Sequence, residues 1–215
     1  MNVAQGGLSW IICSFLLFVI LSIMFIFTTG ILQYSFFFFS LLLFIIFCLL
    51  IVFFRDPQRK IGEEIVAVAD GIIREITHES DNEIGRCIKI STFMNIHNVH
   101  VNRMPLSGII KNITHYSGAH IPAFKKESEK NERLVVHIQS SIGLVKVVLI
   151  AGTLARRIVP YIHKGDTVEK GEKLGLIRLG SRVDIYLPEK SIRKIIVAVG
   201  DKLKAGEDTI ATIND

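Results

Sequence analysis

The sequence predicts an N-terminal two-helix transmembrane hairpin joined to a mainly-β (α+β) cytoplasmic domain with barrel-sandwich-like hairpins. Three observations predict it. All 25 Lys and Arg and all 20 Asp and Glu fall within residues 55–215, leaving 1–54 without a formal charge. Two long apolar runs, 8–28 and 32–54, fill that uncharged part. The rest is a succession of short alternating or β-branched runs punctuated by Gly and Asp.

Each apolar run is long enough to cross a hydrocarbon core of about 30 Å at about 1.5 Å per helical residue. Between them stand Thr28, Thr29, Gly30, Gln33, Tyr34 and Ser35, a polar interruption suited to a tight turn at an interface. The region lacks the basic start and the short apolar stretch of a cleaved secretory signal, so 1–54 is expected to stay as a helical hairpin. Arg55, Arg59 and Lys60 follow the second run directly. By the positive-inside rule that end, and with it the domain beyond, is expected in the cytoplasm.

A linker, 55–60, leads into a domain spanning 61–215. Its strand-sized runs are 64–69, 71–77, 86–91, 108–115, 133–138, 144–151 and 182–187. A weak internal repeat relates 165–177 to 200–213. Each copy has a Gly-Asp turn, an apolar residue, a second Gly and an apolar run, the pattern of a β-hairpin in biotinyl- or lipoyl-type folds. Neither Lys170 nor Lys202 has the neighbours of a modified carrier lysine, so the repeat speaks for fold alone.

The formal net charge of +5 resides in this domain. Beside a membrane it favours phospholipid headgroups as partners. Nucleic acid is not expected, because the basic residues are scattered among acids and form no stripe with interleaved aromatics. Cys13, Cys48 and Cys87 have neither CxxC nor Cys/His spacing, so no metal is expected.

The chemistry is sought at Ser181, where Gly180 precedes the hydroxyl and leaves its own carbonyl unshielded by a side chain. A serine attacks only when a neighbour accepts its proton. Among seven histidines, His97 and His100 stand out in the segment 91–105, and Asp70, at a strand-to-Gly turn, is placed to orient an imidazole. His78, His115, His137 and His163 read as surface or satisfied polar groups. A Ser hydrolase is a competing reading, but no Gly-x-Ser-x-Gly elbow surrounds Ser181. A membrane-tethered barrel-sandwich adaptor without chemistry is another.

Ala69-Asp-Gly71, Asn98-Val-His-Val-Asn-Arg103, Ser128-Glu-Lys-Asn-Glu-Arg133, Ile150-Ala-Gly152 with Ala155-Arg-Arg-Ile158, and Leu179-Gly-Ser-Arg-Val-Asp-Ile-Tyr-Leu-Pro188 resemble, in this order, the motifs of phosphatidylserine decarboxylases. Phe53-Phe-Arg-Asp-Pro57 is similar to the short-chain branch of that family. The resemblance implies a proenzyme that cleaves itself between Gly180 and Ser181 into chains 1–180 and 181–215, which stay together as a heterodimer. It implies a covalent pyruvoyl group made from Ser181 as the electron sink for decarboxylation. It gives Asp70 and His100 to the cleavage, and Arg156 and Arg157 to the substrate phosphate. An archaetidylserine-type substrate would present the same headgroup, and a homo-oligomer is compatible. Two positions depart from the short branch: His97, which longer relatives use in decarboxylation, and His120, where relatives carry an aromatic or aliphatic residue.

Overall fold

The computed structural model describes residues 2–119, 121, 130–152, 158–177 and 181–214. The chain divides into two compact units, 1–58 and 59–215.

In the first unit a two-residue strand β1 (Asn2–Val3) precedes helices α1 (Leu8–Phe27) and α2 (Ile31–Phe53), and β1 pairs with β2 (Arg55–Asp56). The helices are antiparallel neighbours, and both are long and apolar enough to cross a membrane. Phe15 meets Phe47, Phe18 meets Phe44 and Phe25 meets Phe37. The Ser22 and Ser40 hydroxyls bond at 2.7 Å within that seam, so their polarity is answered between the helices. The remaining surface is apolar and largely exposed, as lipid-facing helices require. The turn is tighter than the sequence implied. It occupies only Thr28–Gly30, with Gly30 at φ +68°, and Gln33, Tyr34 and Ser35 already belong to α2.

The second unit contains β3 (Ile65–Val66), β4 (Gly71–Asp81), β5 (Gly85–Met94), β6 (Val101–Arg103), β7 (Gly108–Tyr116), β8 (Arg133–Ser140), β9 (Gly143–Ala151), β10 (Ile158–Pro160), β11 (Thr167–Val168), β12 (Lys173–Ile177), β13 (Ser181–Pro188), β14 (Ile192–Ile195), β15 (Lys202–Leu203) and β16 (Thr209–Ile213). One eight-stranded sheet runs β11-β7-β8-β9-β13-β5-β4-β15, beside three-stranded sheets β10-β12-β6 and β14-β16-β3. Alternation decides the faces. Val145, Val147 and Leu149 of β9, Leu134, Val136 and Ile138 of β8, and Val183, Ile185 and Leu187 of β13 enter one core. Each such side chain removed from water is worth about 1.5–3 kcal/mol.

The internal repeat is real, but its strands are not hairpin partners. β11 pairs with β7 and β15 with β4, at opposite edges of the large sheet. β12 and β16 each become the centre of a three-stranded sheet. The cause lies at the second glycine of each copy. Gly171 (φ +81°) and Gly206 (φ +74°) turn the chain out of the large sheet through a conformation that suits Gly. Gly171 N–H then donates to Met104 O, and Met104 N–H to Glu172 O. In the same way Gly206 N–H donates to Ala67 O, and Ala67 N–H to Asp208 O.

The correspondence extends through the whole unit. The sheet order is unchanged on exchanging β11 with β15, β7 with β4, β8 with β5 and β9 with β13, and the two small sheets exchange likewise. One copy is β6 to β12. The other is β3 to β5 followed by β13 to β16, so the first is inserted into the second. The sequence reading found only the 165–177 and 200–213 match, although the equivalent strands β4 and β7 also correspond in residue type, Gly71-Ile-Ile-Arg-Glu-Ile-Thr-His78 against Gly108-Ile-Ile-Lys-Asn-Ile-Thr-His115.

Candidate active site

Ser181 is the first residue of β13, where the interrupted copy resumes. Its register partners are Met94, the last residue of β5, and Ala151, the last of β9. All three are fully buried. Alternation puts Ser181 on the core face with Val183, and among the described residues its Oγ has no hydrogen-bond partner. A buried hydroxyl without a partner costs about 1–3 kcal/mol. Burial with no hydrogen bond to a described group leaves this oxygen chemically available inside an apolar setting, which fits a residue that attacks or is converted.

His100 approaches through a different sheet. It lies just before β6, which pairs with β12, and its carbonyl accepts the Ile177 N–H at 3.4 Å and Asn102 Nδ2 at 3.3 Å. Ile177 precedes Ser181 by four residues, so the ladder brings histidine and serine to the same region. Nδ1 of the buried imidazole lies 2.9 Å from the Asn98 carbonyl oxygen. A carbonyl only accepts, so Nδ1 carries the proton and Nε2 is the basic nitrogen.

Asp70 precedes Gly71, at the end of β4 where Ile72 pairs with Phe93. It thus belongs to the same end of the sheet as Met94 and Ser181. A side chain on Gly71 would stand 2.2 Å from Phe93 O, which keeps the two strands in close approach there. The Asp70 carboxylate receives both Arg59 contacts, at 2.9 and 2.8 Å, and the Ala205 N–H at 2.8 Å. Its counterpart in the inserted copy is Ser107, whose Oγ receives the Lys170 N–H at 3.0 Å. Capping this turn is therefore common to both copies, and the Arg59 pair distinguishes Asp70. Arg59 also reaches Glu207 at 3.2 Å.

His97 is exposed on the turn 95–98 that leaves β5, three residues past Met94. Gly180, Arg156, Arg157 and His120 lie outside the described residues. His78, His115 and His137 each face a carboxylate, on Glu189, Glu132 and Glu83 respectively. Cys87 is buried; burial first, then the Asp81 and Glu79 carboxylates, push its thiol above the usual range, so it is a poor nucleophile. Among the described residues no group of three or more His, Cys, Asp or Glu is placed to hold a metal ion.

A groove of about 420 Å³ lies on the sheet face opposite Ser181, lined by Tyr116, Arg133, His137, Lys146, Asp184 and Tyr186. Its charges largely answer one another. Arg182 grips Asp184 at 2.8 and 2.6 Å, and Lys146 pairs with Asp81. Burial acts to raise the Asp81 carboxyl, but the Lys146 bond and the Glu83 and Ile84 N–H groups outweigh it and hold the group below its usual range. The groove does not open onto Ser181, whose side chain shares the core face with Val183.

Sequence reasoning missed three residues here. Arg59 was read as a membrane-flanking charge, although its position before the Asp70 turn allowed a partner. Asn98 and Asn131 stood inside quoted motifs without an assigned task. Asn131 ties separate chain segments and so leaves no pattern in spacing, whereas Asn98 closes its own turn onto Asn95, a local signal.

Fold and site together define a duplicated β domain behind two apolar helices, with a buried serine at the head of a central strand. The phosphatidylserine decarboxylase family model matches residues 46–211. A phosphatidylserine decarboxylase proenzyme of Streptomyces avermitilis is 48% identical over 155 residues, covering 72% of this chain and 69% of that protein. A protein of Methanococcoides burtonii, provisionally named an archaetidylserine decarboxylase proenzyme, is 48% identical over 164 residues, covering 75% and 74%. One from Thermobifida fusca, a phosphatidylserine decarboxylase proenzyme, is 46% identical over 156 residues, covering 72% and 69%. The chain belongs to the phosphatidylserine decarboxylase family.

Proposed function

We propose that this chain decarboxylates phosphatidylserine to phosphatidylethanolamine, with a pyruvoyl group that it makes from its own Ser181. The observation that carries the site assignment is the buried Ser181 hydroxyl at the head of a central strand, with the oriented His100 imidazole on the adjoining ladder. Family membership supports the activity and the proenzyme chemistry.

His100 Nε2 takes the Ser181 hydroxyl proton as Oγ attacks the Gly180 carbonyl carbon. The carbon–nitrogen bond breaks, leaving an ester and a free amine on residue 181. Loss of the Ser181 α-proton and of the ester oxygen then releases the Gly180 carboxylate. Water replaces nitrogen on the remaining dehydroalanine, ammonia departs, and a pyruvoyl group is left at the head of chain 181–215. When formed, that group supplies the electron sink for loss of carbon dioxide. Asp70, held by Arg59, acts as a fixed negative charge at the same sheet end and supports the histidine when it is protonated. His97, exposed beyond Met94, serves the decarboxylation step. Arg156 and Arg157 serve the substrate phosphate, a role suited to the guanidinium fork.

Carboxyl-labelled phosphatidylserine tests this reading. Label should leave as carbon dioxide only with preparations that run as two chains on a denaturing gel. Label release by a preparation made wholly of intact chain would sink it. The archaeal relative matches as well as the bacterial ones, so the ether-linked phosphoserine lipid belongs in the same assay as an alternative substrate.

The domain 61–215 is proposed to face the cytoplasm, because Arg55, Arg59 and Lys60 follow α2 and nothing charged flanks the turn at Thr28–Gly30. Protease added outside intact cells should spare the domain, and its digestion there would reverse the assignment.

A further inference from the structure

Ser181 stands between two strand ends, and each end is pinned by an asparagine. On the β5 side, Asn98 Oδ1 accepts the Asn95 N–H at 2.8 Å, and Asn98 N–H donates to Asn95 O at 3.0 Å. This closes the turn that immediately follows Met94. On the β9 side, Asn131 is fully buried and spends both amide atoms on backbone. Its Nδ2 donates to Ala151 O at 2.8 Å and to Ile121 O at 2.6 Å, and its Oδ1 accepts the Ile121 N–H at 2.8 Å. The next residue completes the hold, since Glu132 O accepts the Ala151 N–H at 2.9 Å. Both backbone polar groups of Ala151, the partner of Ser181, are therefore fixed from residues 131 and 132.

A strand end ordinarily frays, because the ladder stops there. Attack by a hydroxyl on the preceding carbonyl tolerates little fraying, since a misplacement of about 1 Å costs about 10²-fold in rate. The inserted copy has no such need. There β8 and β9 are joined directly by the turn at Ser140–Gly143, and the chain itself fixes their register. In the interrupted copy the equivalent strands, β5 and β13, have no direct connection, and the whole inserted copy lies between them.

We infer that Asn131 is a positioning residue for self-cleavage, holding Ala151 as the fixed wall against which Ser181 is set. This rests on Ser181 being the cleavage residue, and it adds a cause for the serine's placement.

Asn131→Asp keeps the shape but turns two donated hydrogen bonds into contacts between a carboxylate and carbonyl oxygens. Full-length chain made by cell-free synthesis into phospholipid vesicles should then cleave about 10²-fold more slowly than wild type. Hydroxylamine, which severs an ester, should not restore cleavage, because the ester itself would not form. The pair Ser181→Ala and Ser181→Ala/Asn131→Asp, both uncleaved, gives stability on equal terms. The double variant should melt lower, because a buried carboxylate faces two carbonyl oxygens, so cleavage is compared at a temperature where circular dichroism shows both uncleaved forms folded. Cleavage at the wild-type rate there, rescue by hydroxylamine, or a double variant with no folded spectrum at any temperature would each overturn the inference. Cleavage persisting in Ser181→Ala would instead defeat the assignment of Ser181, and that control separates the two failures.

Discussion

Ser181→Ala should yield one uncleaved chain of 215 residues with no decarboxylase activity, whereas the wild type should yield two chains. By intact mass the wild-type large chain should comprise residues 1–180. The small chain, 181–215, should be lighter by one ammonia than a Ser-initiated peptide and blocked to stepwise degradation from its N-terminus. The effect is expected to be complete because no other oxygen substitutes at that position. Among the described residues Ser181 Oγ is bonded to nothing, so its removal breaks no hydrogen bond within them. The Ala variant should therefore be at least as stable as the uncleaved wild type. An active, unmodified, intact wild-type polypeptide would refute the proposal.

His100→Ala should stall cleavage nearly as fully. General-base assistance is worth about 10²–10⁴-fold, and the Asn98 contact already fixes the tautomer that leaves Nε2 basic. Asp70→Asn should also slow cleavage. It keeps an acceptor for the Ala205 N–H but removes the carboxylate charge from the buried Arg59 pair, so stability should fall as well, and the rates are compared at a temperature where both uncleaved chains are folded. His97→Ala should cleave at the normal rate and lose turnover, because its side chain is exposed while that of His100 is buried. Time courses on denaturing gels, read beside release of labelled carbon dioxide, measure both steps. Normal cleavage in His100→Ala would remove that residue from the processing machinery.

The helices were legible because a charge-free stretch of that length has few other uses. Six of the seven expected strand runs lie within strands of the structure, since half-buried sheets write their alternation into sequence, whereas of 64–69 only Ile65–Val66 forms a strand. What escaped was the set of two- and three-residue strands, such as β6 and β10, whose pairing is set by distant partners and not by their own composition. The hairpin expectation for 165–177 failed for the same reason: two glycine turns fix where a chain bends, and the neighbouring sheets decide what it then pairs with. Ser181, His100, His97 and Asp70 were nameable from motifs. Arg59 as the partner of Asp70 was not, because a residue eleven positions away meets it only through the fold.

The placement of β13 has one more consequence. It lies inside the large sheet, paired along eight positions with β5 and six with β9, while β16 of the same segment sits between β14 and β3. A chain terminus is ordinarily the loosest part of a protein. Here, breaking one peptide bond would create a terminus that is already woven into the fabric on both sides, with no slack to withdraw. The new end would behave less like a tail than like a fitting set in masonry, and a reactive carbonyl there would be as immobile as a cofactor bound in a pocket. Mild denaturation should accordingly loosen the two apolar helices or the sheet edges before it frees the small chain.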